Sequence, residues 1–140
     1  MAERERQTFQ LEVVTPQRLI ISEEVEELVA PGTEGYFGVW PGHTPFMTTL
    51  KIGELSYKRR GEERFLAVSW GYAEIRPEKA IILVETAERA EEIDRARAEE
   101  SRARAEERLR RWGDATIDFA RAQAALERAL TRASVAAKGR

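Results

Sequence analysis

Two different repeats run along this chain. Up to about Thr86, short runs of apolar and β-branched residues alternate with polar ones, the two-residue period of strands that bury one face. The pattern predicts strands over Phe9–Val14, Arg18–Ile21, Val25–Ala30, Tyr36–Val39, Phe46–Leu50, Gly53–Lys58, Glu63–Ser69, Gly71–Arg76 and Lys79–Glu85. Between them stand Thr15-Pro16, Pro31-Gly32, Pro41-Gly42, Arg60-Gly61 and Pro77-Glu78, each offering a fixed φ or a permissive glycine where the chain reverses. Many short strands with regular turn signals predict a β-sandwich or barrel.

From Glu88 onward there is no proline, alanine becomes dense and charges of both signs interleave, all of which favour helix. A first helix is expected over Glu91–Trp112. Gly113 then serves as its C-cap and Asp114 as the N-cap of a second helix ending near Val135. The predicted organisation is a β-sandwich over residues 1–87 followed by an antiparallel two-helix hairpin over residues 88–140, a β + α architecture.

Phe119, Ala122, Leu126, Ala129 and Ala133 recur at helical spacing along the second helix, and Ala98, Ala105, Leu109 and Trp112 answer from the first. Alanines allow close approach but bury little area, so the hairpin should be weakly fastened. Two readings follow: a pair of helices that opens when a partner offers a better surface, or one that stays docked.

Charge changes the picture locally rather than overall. The chain of 140 residues carries a formal net charge of -2, which argues against a nucleic-acid binder working through bulk charge. There is no cysteine, which excludes disulfides, thiol nucleophiles and thiolate metal sites, and cytoplasmic exposure is the simplest reading. Met1–Gln10 is charged where a signal peptide needs an apolar core, and no apolar run approaches the roughly 18 to 20 residues that span a bilayer. Any membrane association is expected to run through partners.

Candidate chemistry is sparse. His43 is the only histidine and sits in a loop with two glycines and two prolines, Gly38-Val39-Trp40-Pro41-Gly42-His43-Thr44-Pro45. A single histidine makes a poor metal site, and no Gly-x-Ser-x-Gly elbow accompanies it, so a partner-contact role fits better than a catalytic one. Glycine-rich nucleotide motifs are absent. Asp94, Arg97, Arg104, Arg128 and Arg132 come level with one another if the hairpin folds, and two guanidinium forks four residues apart could grip phosphate oxygens. The competing reading is a solvated face, because Glu88–Arg111 holds eight acidic and eight basic residues.

Taken in order, Leu11-Glu12-Val13-Val14-Thr15-Pro16, then Gly35-Tyr36-Phe37-Gly38-Val39-Trp40-Pro41-Gly42-His43-Thr44-Pro45, Gly71-Tyr72-Ala73-Glu74-Ile75 and Ile93-Asp94-Arg95-Ala96-Arg97-Ala98 resemble the epsilon subunit of bacterial F-type ATP synthases over nearly the whole chain. Trp40 and Ser69-Trp70 depart mildly from that family's pattern. The resemblance implies a non-catalytic central-stalk subunit whose sandwich binds the gamma subunit and rests on the c-ring, coupling ion-driven rotation to ATP synthesis, with Tyr36 and His43 facing the ring. It implies a hairpin that lies folded or extends toward the catalytic beta and alpha subunits, where it inhibits ATP hydrolysis. It also implies a regulatory ATP site at Ile93, Asp94, Arg97 and Ala98, which match an Ile/Leu-Asp-x-x-Arg-Ala motif, with Glu88, Arg104, Arg128 and Arg132 where its remaining polar contacts are expected. No cofactor or metal is required, and the complex would hold the chain peripherally on the cytoplasmic side of the cell membrane. Rival readings are a free-standing nucleotide-responsive enzyme or sensor, and a helical adaptor whose nucleic-acid binding would fall steeply with salt.

Overall fold

A computed structural model describes residues 7–111 and 113–139. Eight strands come first: β1 Phe9–Val14, β2 Leu19–Val25, β3 Glu27–Gly32, β4 Gly35–Val39, β5 Phe46–Leu50, β6 Gly53–Arg59, β7 Glu62–Arg76 and β8 Lys79–Arg89. A 3-10 turn, Ala90–Glu92, leads to helix α1, Arg95–Arg110, and helix α2, Phe119–Lys138.

The hydrogen-bonded path runs β2-β1-β8-β7-β5-β3-β4, and β6 bridges β3 and β7. Strand β1 lies antiparallel to β2 and parallel to β8, while the remaining pairs are antiparallel. The long strand β7 belongs to both layers of the sandwich: Glu62–Val68 pairs with β6, and Gly71–Ile75 pairs with β5. Burial alternates residue by residue along β1 and β6, as the sequence period requires. The inward set, including Leu11, Val13, Ile21, Leu28, Leu55 and Ile82, forms one apolar core.

Several expected boundaries move. The two strands anticipated over Glu63–Ser69 and Gly71–Arg76 are one strand, because β8 pairs with both parts in the same register, from Leu66↔Arg89 to Ser69↔Thr86 and from Gly71↔Val84 to Arg76↔Lys79. That pairing also carries β8 to Arg89, beyond the Glu85 end expected for it. The turn anticipated at Pro31-Gly32 falls instead at Thr33-Glu34, where Gly35 supplies φ 131°. Strand β2 continues to Val25, since β1 offers pairing partners as far as Phe9↔Val25. The expected hairpin reversal at Arg60-Gly61 is present, with φ positive at both residues, 52° and 80°.

In the helices, α1 begins at Arg95 rather than Glu91, because the Asp94 carboxylate accepts the Arg97 amide at 3.2 Å and caps the helix there. The cap expected of Asp114 belongs to Asp118, which accepts the Arg121 amide at 3.1 Å. Asp114 instead closes a local turn, accepting from the Thr116 amide at 2.9 Å and the Thr116 hydroxyl at 2.7 Å. The seam between the helices is made of small side chains as expected, with Ala98, Ala105, Ala122 and Ala129 all buried. Phe119 stays exposed, and Trp112 lies outside the described residues. Among the described residues no helix is long and apolar enough to cross a membrane.

Candidate functional site

The hairpin rests on the sandwich through one end of α2. Val135 and Ala136 pack with Ala67 of β7, Ala90 of the 3-10 turn and Ile93 in a small cluster separate from the sandwich core. Three cations add polar ties. Arg132 donates to Glu88 of β8 at 2.7 and 3.2 Å, Lys138 donates to Glu54 of β6 at 2.7 and 3.0 Å while standing over the Phe65 ring, and Arg128 lies over the Trp70 ring. The apolar part of this contact is small and the charged ties are partly exposed, so the hairpin is held to the sandwich by modest terms of both kinds.

Between the two helices opens a cavity of about 260 Å³ with four guanidinium groups in its walls, Arg104 and Arg108 from α1 and Arg128 and Arg132 from α2. Its floor is Ala105, Ala125 and Ala129. The arginines of α1 divide by face. Arg102 donates to Glu99 at 2.8 and 3.0 Å and to Glu106 at 3.0 Å, and Arg110 and Arg111 reach Glu107. The Glu99 hydrogen bond, followed by the charge of Glu106, raises the pKa of the Arg102 guanidinium above its usual value. In contrast, among the described residues no carboxylate is within ion-pair distance of Arg104, Arg108 or Arg128, and the Ser101 hydroxyl accepts from Arg104 at 3.2 Å. Positive charge therefore collects uncompensated on the groove side, which is what recognition of a polyanion requires.

The structure brings Arg104, Arg128 and Arg132 together as expected, and adds Arg108. Glu88 reaches the same cavity only through its ion pair with Arg132. The remaining motif residues hold local structural posts: Ile93 is buried against α2, Asp94 caps α1, and Ala98 lies in the seam. Arg97 is exposed at the first turn of α1 and does not line the cavity. Arg108 was visible as one more i+4 arginine after Arg104, a spacing that by itself did not separate it from its paired neighbours.

Tyr36 is the second residue of β4, paired with Pro31 of β3, whereas His43 lies in the loop after that strand. The Tyr36 hydroxyl accepts the Glu54 amide at 3.0 Å and, with Leu130, Thr131 and Ser134 of α2, Tyr36 lines a crevice under the hairpin. His43 sits past the Pro41-Gly42 turn, its Nδ1 2.7 Å from the Thr44 carbonyl and its ring 5.0 Å from that of Phe46.

A second surface escaped the sequence reading. Trp70, Tyr72 and Leu83 remain 41%, 56% and 47% exposed, although each is large and apolar. Together with Val14, Pro16 and Thr49 they wall a shallow groove of about 710 Å³ on the outer side of β1, β8, β7 and β5. The signal was the parity of the strands: Ala73 and Ile75 point inward in β7, so Tyr72 must point out, and Ile82 and Val84 do the same to Leu83. Contiguous exposed apolar surface is the kind on which protein contacts and ligand grooves form. Among the described residues no group of three or more histidine, aspartate or glutamate side chains is arranged to hold a metal ion.

Comparison with known proteins matches both halves of the fold. Residues 8–90 match the family described as ATP synthase, Delta/Epsilon chain, beta-sandwich domain, and residues 91–137 match ATP synthase, Delta/Epsilon chain, long alpha-helix domain. The chain is 49% identical to ATP synthase epsilon chain 2 of Syntrophotalea carbinolica over 133 residues, covering 95% of this chain and 96% of that one. It is 51% identical to the ATP synthase epsilon chain of Geotalea uraniireducens over 130 residues, 93% and 94% of the two chains. The fold is shared with a chain in the mitochondrial ATP synthase of Euglena gracilis, OSCP/F1/c-ring in rotational state 1, at TM-score 0.76 and 22% identity, covering 86% of this chain and 76% of that one. With both halves matched in order and relatives near half identity over almost its full length, the chain belongs to the delta/epsilon chain family of ATP synthases, as an epsilon chain.

Proposed function

We propose that this epsilon chain seats on the gamma subunit through the apolar groove walled by Trp70, Tyr72 and Leu83, and that its hairpin acts as a restraint on ATP hydrolysis. As an epsilon chain it is a non-catalytic component of the central stalk, and it associates with a membrane only through the complex. The groove is the observation that carries the docking reading, because it is exposed, apolar and located on rigid paired strands. Residues 1–87 would couple gamma to the c-ring, with His43 and Tyr36 toward the ring, and residues 88–140 would regulate. The location that follows is the cytoplasmic side of the cell membrane.

The arginine groove supports a regulatory role for ATP. Arg104, Arg108 and Arg128 lack carboxylate partners among the described residues, and a triphosphate bridging α1 and α2 would hold the hairpin folded. Release on falling ATP would let the helices extend toward the catalytic beta and alpha subunits. ATP can shift that balance only by its difference in affinity for the two positions.

Co-purification of the full chain with its gamma subunit tests the docking reading. Wild-type chain should form a stable complex, and Leu83→Asp should weaken it by at least about tenfold, since a carboxylate buried in an apolar interface is penalised heavily. A wild-type chain that leaves gamma unbound overturns it. Calorimetric titration with ATP tests the regulatory part, with Arg104→Gln expected to lose affinity.

A further inference from the structure

Trp70 occupies a position that neither site explains by itself. It stands where β7 passes from one layer to the other, between Val68, which points into the core beside β6, and Gly71, the first residue paired with β5. The backbone there has little freedom, because a Cβ on Gly71 would stand 1.8 Å from the Leu83 carbonyl oxygen. One side of the indole walls the apolar groove. Over the ring lies Arg128, its guanidinium carbon 5.5 Å from the centroid.

Arg128, with Arg108 and Ala125, lines both the 260 Å³ arginine groove and a neighbouring space of about 440 Å³ toward the turn. Among the described residues its guanidinium has no ion pair and no hydrogen bond, so the ring is its one fixed contact. A cation held over a ring is bound through the quadrupole of the aromatic face, which consumes none of the N–H donors. Arg132 differs, since Glu88 already takes two of its donors.

We propose that Trp70 is a positioning residue of the hairpin: it fastens the middle of α2 to the sandwich by holding Arg128, and in the same act presents the free N–H fork of Arg128 to the anion groove. The regulatory part of this assignment rests on the reading of that groove as an ATP site; the fastening part does not. The ring is also a wall of the apolar groove, so a partner seated there excludes water from it, and a cation–π contact strengthens as it is desolvated.

Amide hydrogen exchange in α2 of the full chain, in the absence of ligand, measures the fastening. The set is wild type, Trp70→Leu, Trp70→Phe, Arg128→Gln and the Trp70→Leu/Arg128→Gln double variant, with exchange in β1 as the internal reference for an intact sandwich. Trp70→Leu and Arg128→Gln should each raise exchange around position 128 by about two- to fivefold, the double variant should add nothing further, and Trp70→Phe should keep most of the protection. Independent effects that multiply in the double variant, or a Trp70→Phe chain as loose as Trp70→Leu, overturn the proposal. A parallel ATP titration separates fastening of the helix from presentation of the fork. Affinity reduced in Trp70→Leu but held in Trp70→Phe supports presentation of the fork. ATP binding that is equal in all the Trp70 variants overturns that part alone. A wild-type chain that ignores ATP yet shows the non-additive exchange cycle overturns the ATP reading and leaves the fastening in place.

Discussion

Arg132 of α2 meets Glu88 of β8 side-on, with Nε 2.7 Å from Oε1 and Nη2 3.2 Å from Oε2. The resemblance to the epsilon family implies polar contacts of an ATP site at these two positions; in the structure they bind each other and join the sandwich to the hairpin. The pair is only partly shielded, with side-chain exposures of 28% and 37%. Glu88→Gln should therefore loosen the hairpin by no more than about 1 kcal/mol, a small term that still matters for an element with so little apolar contact beneath it. Protection of α2 from hydrogen exchange should fall while that of β1 is unchanged; equal protection of α2 in wild type and Glu88→Gln would show that the pair contributes nothing to docking.

Salt should act on the hairpin and spare the sandwich. Lys138 to Glu54 and Arg132 to Glu88 are both partly exposed ion pairs across the docking surface, whereas the sandwich is held by an apolar core. The screening length shrinks from about 10 Å at 0.1 M to about 3 Å at 1 M salt. Limited proteolysis in the 111–118 connection or at the 3-10 turn should accelerate over that range. A cleavage rate indifferent to salt would place the docking energy in Val135 and Ala136 instead.

Gly71→Ala should be one of the most damaging single changes in the chain. The added methyl meets backbone, the Leu83 carbonyl, at 1.8 Å, and β8 cannot withdraw without breaking the register that runs along its whole length. A loss of about 3 kcal/mol or more is expected, read from the urea midpoint. Retention of the wild-type midpoint would contradict the close approach.

The alkaline limb of stability should be sensitive to Tyr57. Burial, then the nearby charge of Glu23, raises the phenol above its ordinary value of 10.0, against smaller opposing effects of Arg64 and Arg89. A raised pKa in the folded state means that the folded chain holds its proton more tightly than the unfolded one. The associated stability is present below pH 10 and is lost as pH rises through the folded value. Tyr57→Phe should flatten the fall in stability above about pH 10. An unchanged alkaline limb would assign that fall to other groups.

The strands were legible where one face is buried. Alternation sets β1 at Phe9–Val14, where Phe9, Leu11 and Val13 share the buried face. It was less informative around Ser69-Trp70-Gly71, where β7 changes layers and the parity of inward residues shifts from Leu66 and Val68 to Ala73 and Ile75. The second helix start was misplaced because Asp114, read as its cap, is bonded to Thr116 in a local turn, and Asp118 takes the Arg121 amide instead. The arginine groove was half visible: the spacing of Arg128 and Arg132 put two guanidinium groups on one face, but which arginines have carboxylates beside them depends on the opposite helix face. The apolar groove was hidden because a large exposed residue is indistinguishable from a core residue until strand parity is known.

The most direct test of the account is the ATP hydrolysis rate of the ATP synthase catalytic complex lacking its epsilon subunit, measured before and after adding back this chain. Wild-type chain should bind and lower hydrolysis, Leu83→Asp should fail to bind and leave the rate unchanged, and Glu88→Gln should bind normally with altered inhibition. Tight binding by the Leu83→Asp chain would contradict the assignment of the apolar groove to gamma, and a wild-type chain that neither binds the complex nor changes its rate would contradict the central claim that this is its coupling and restraining subunit.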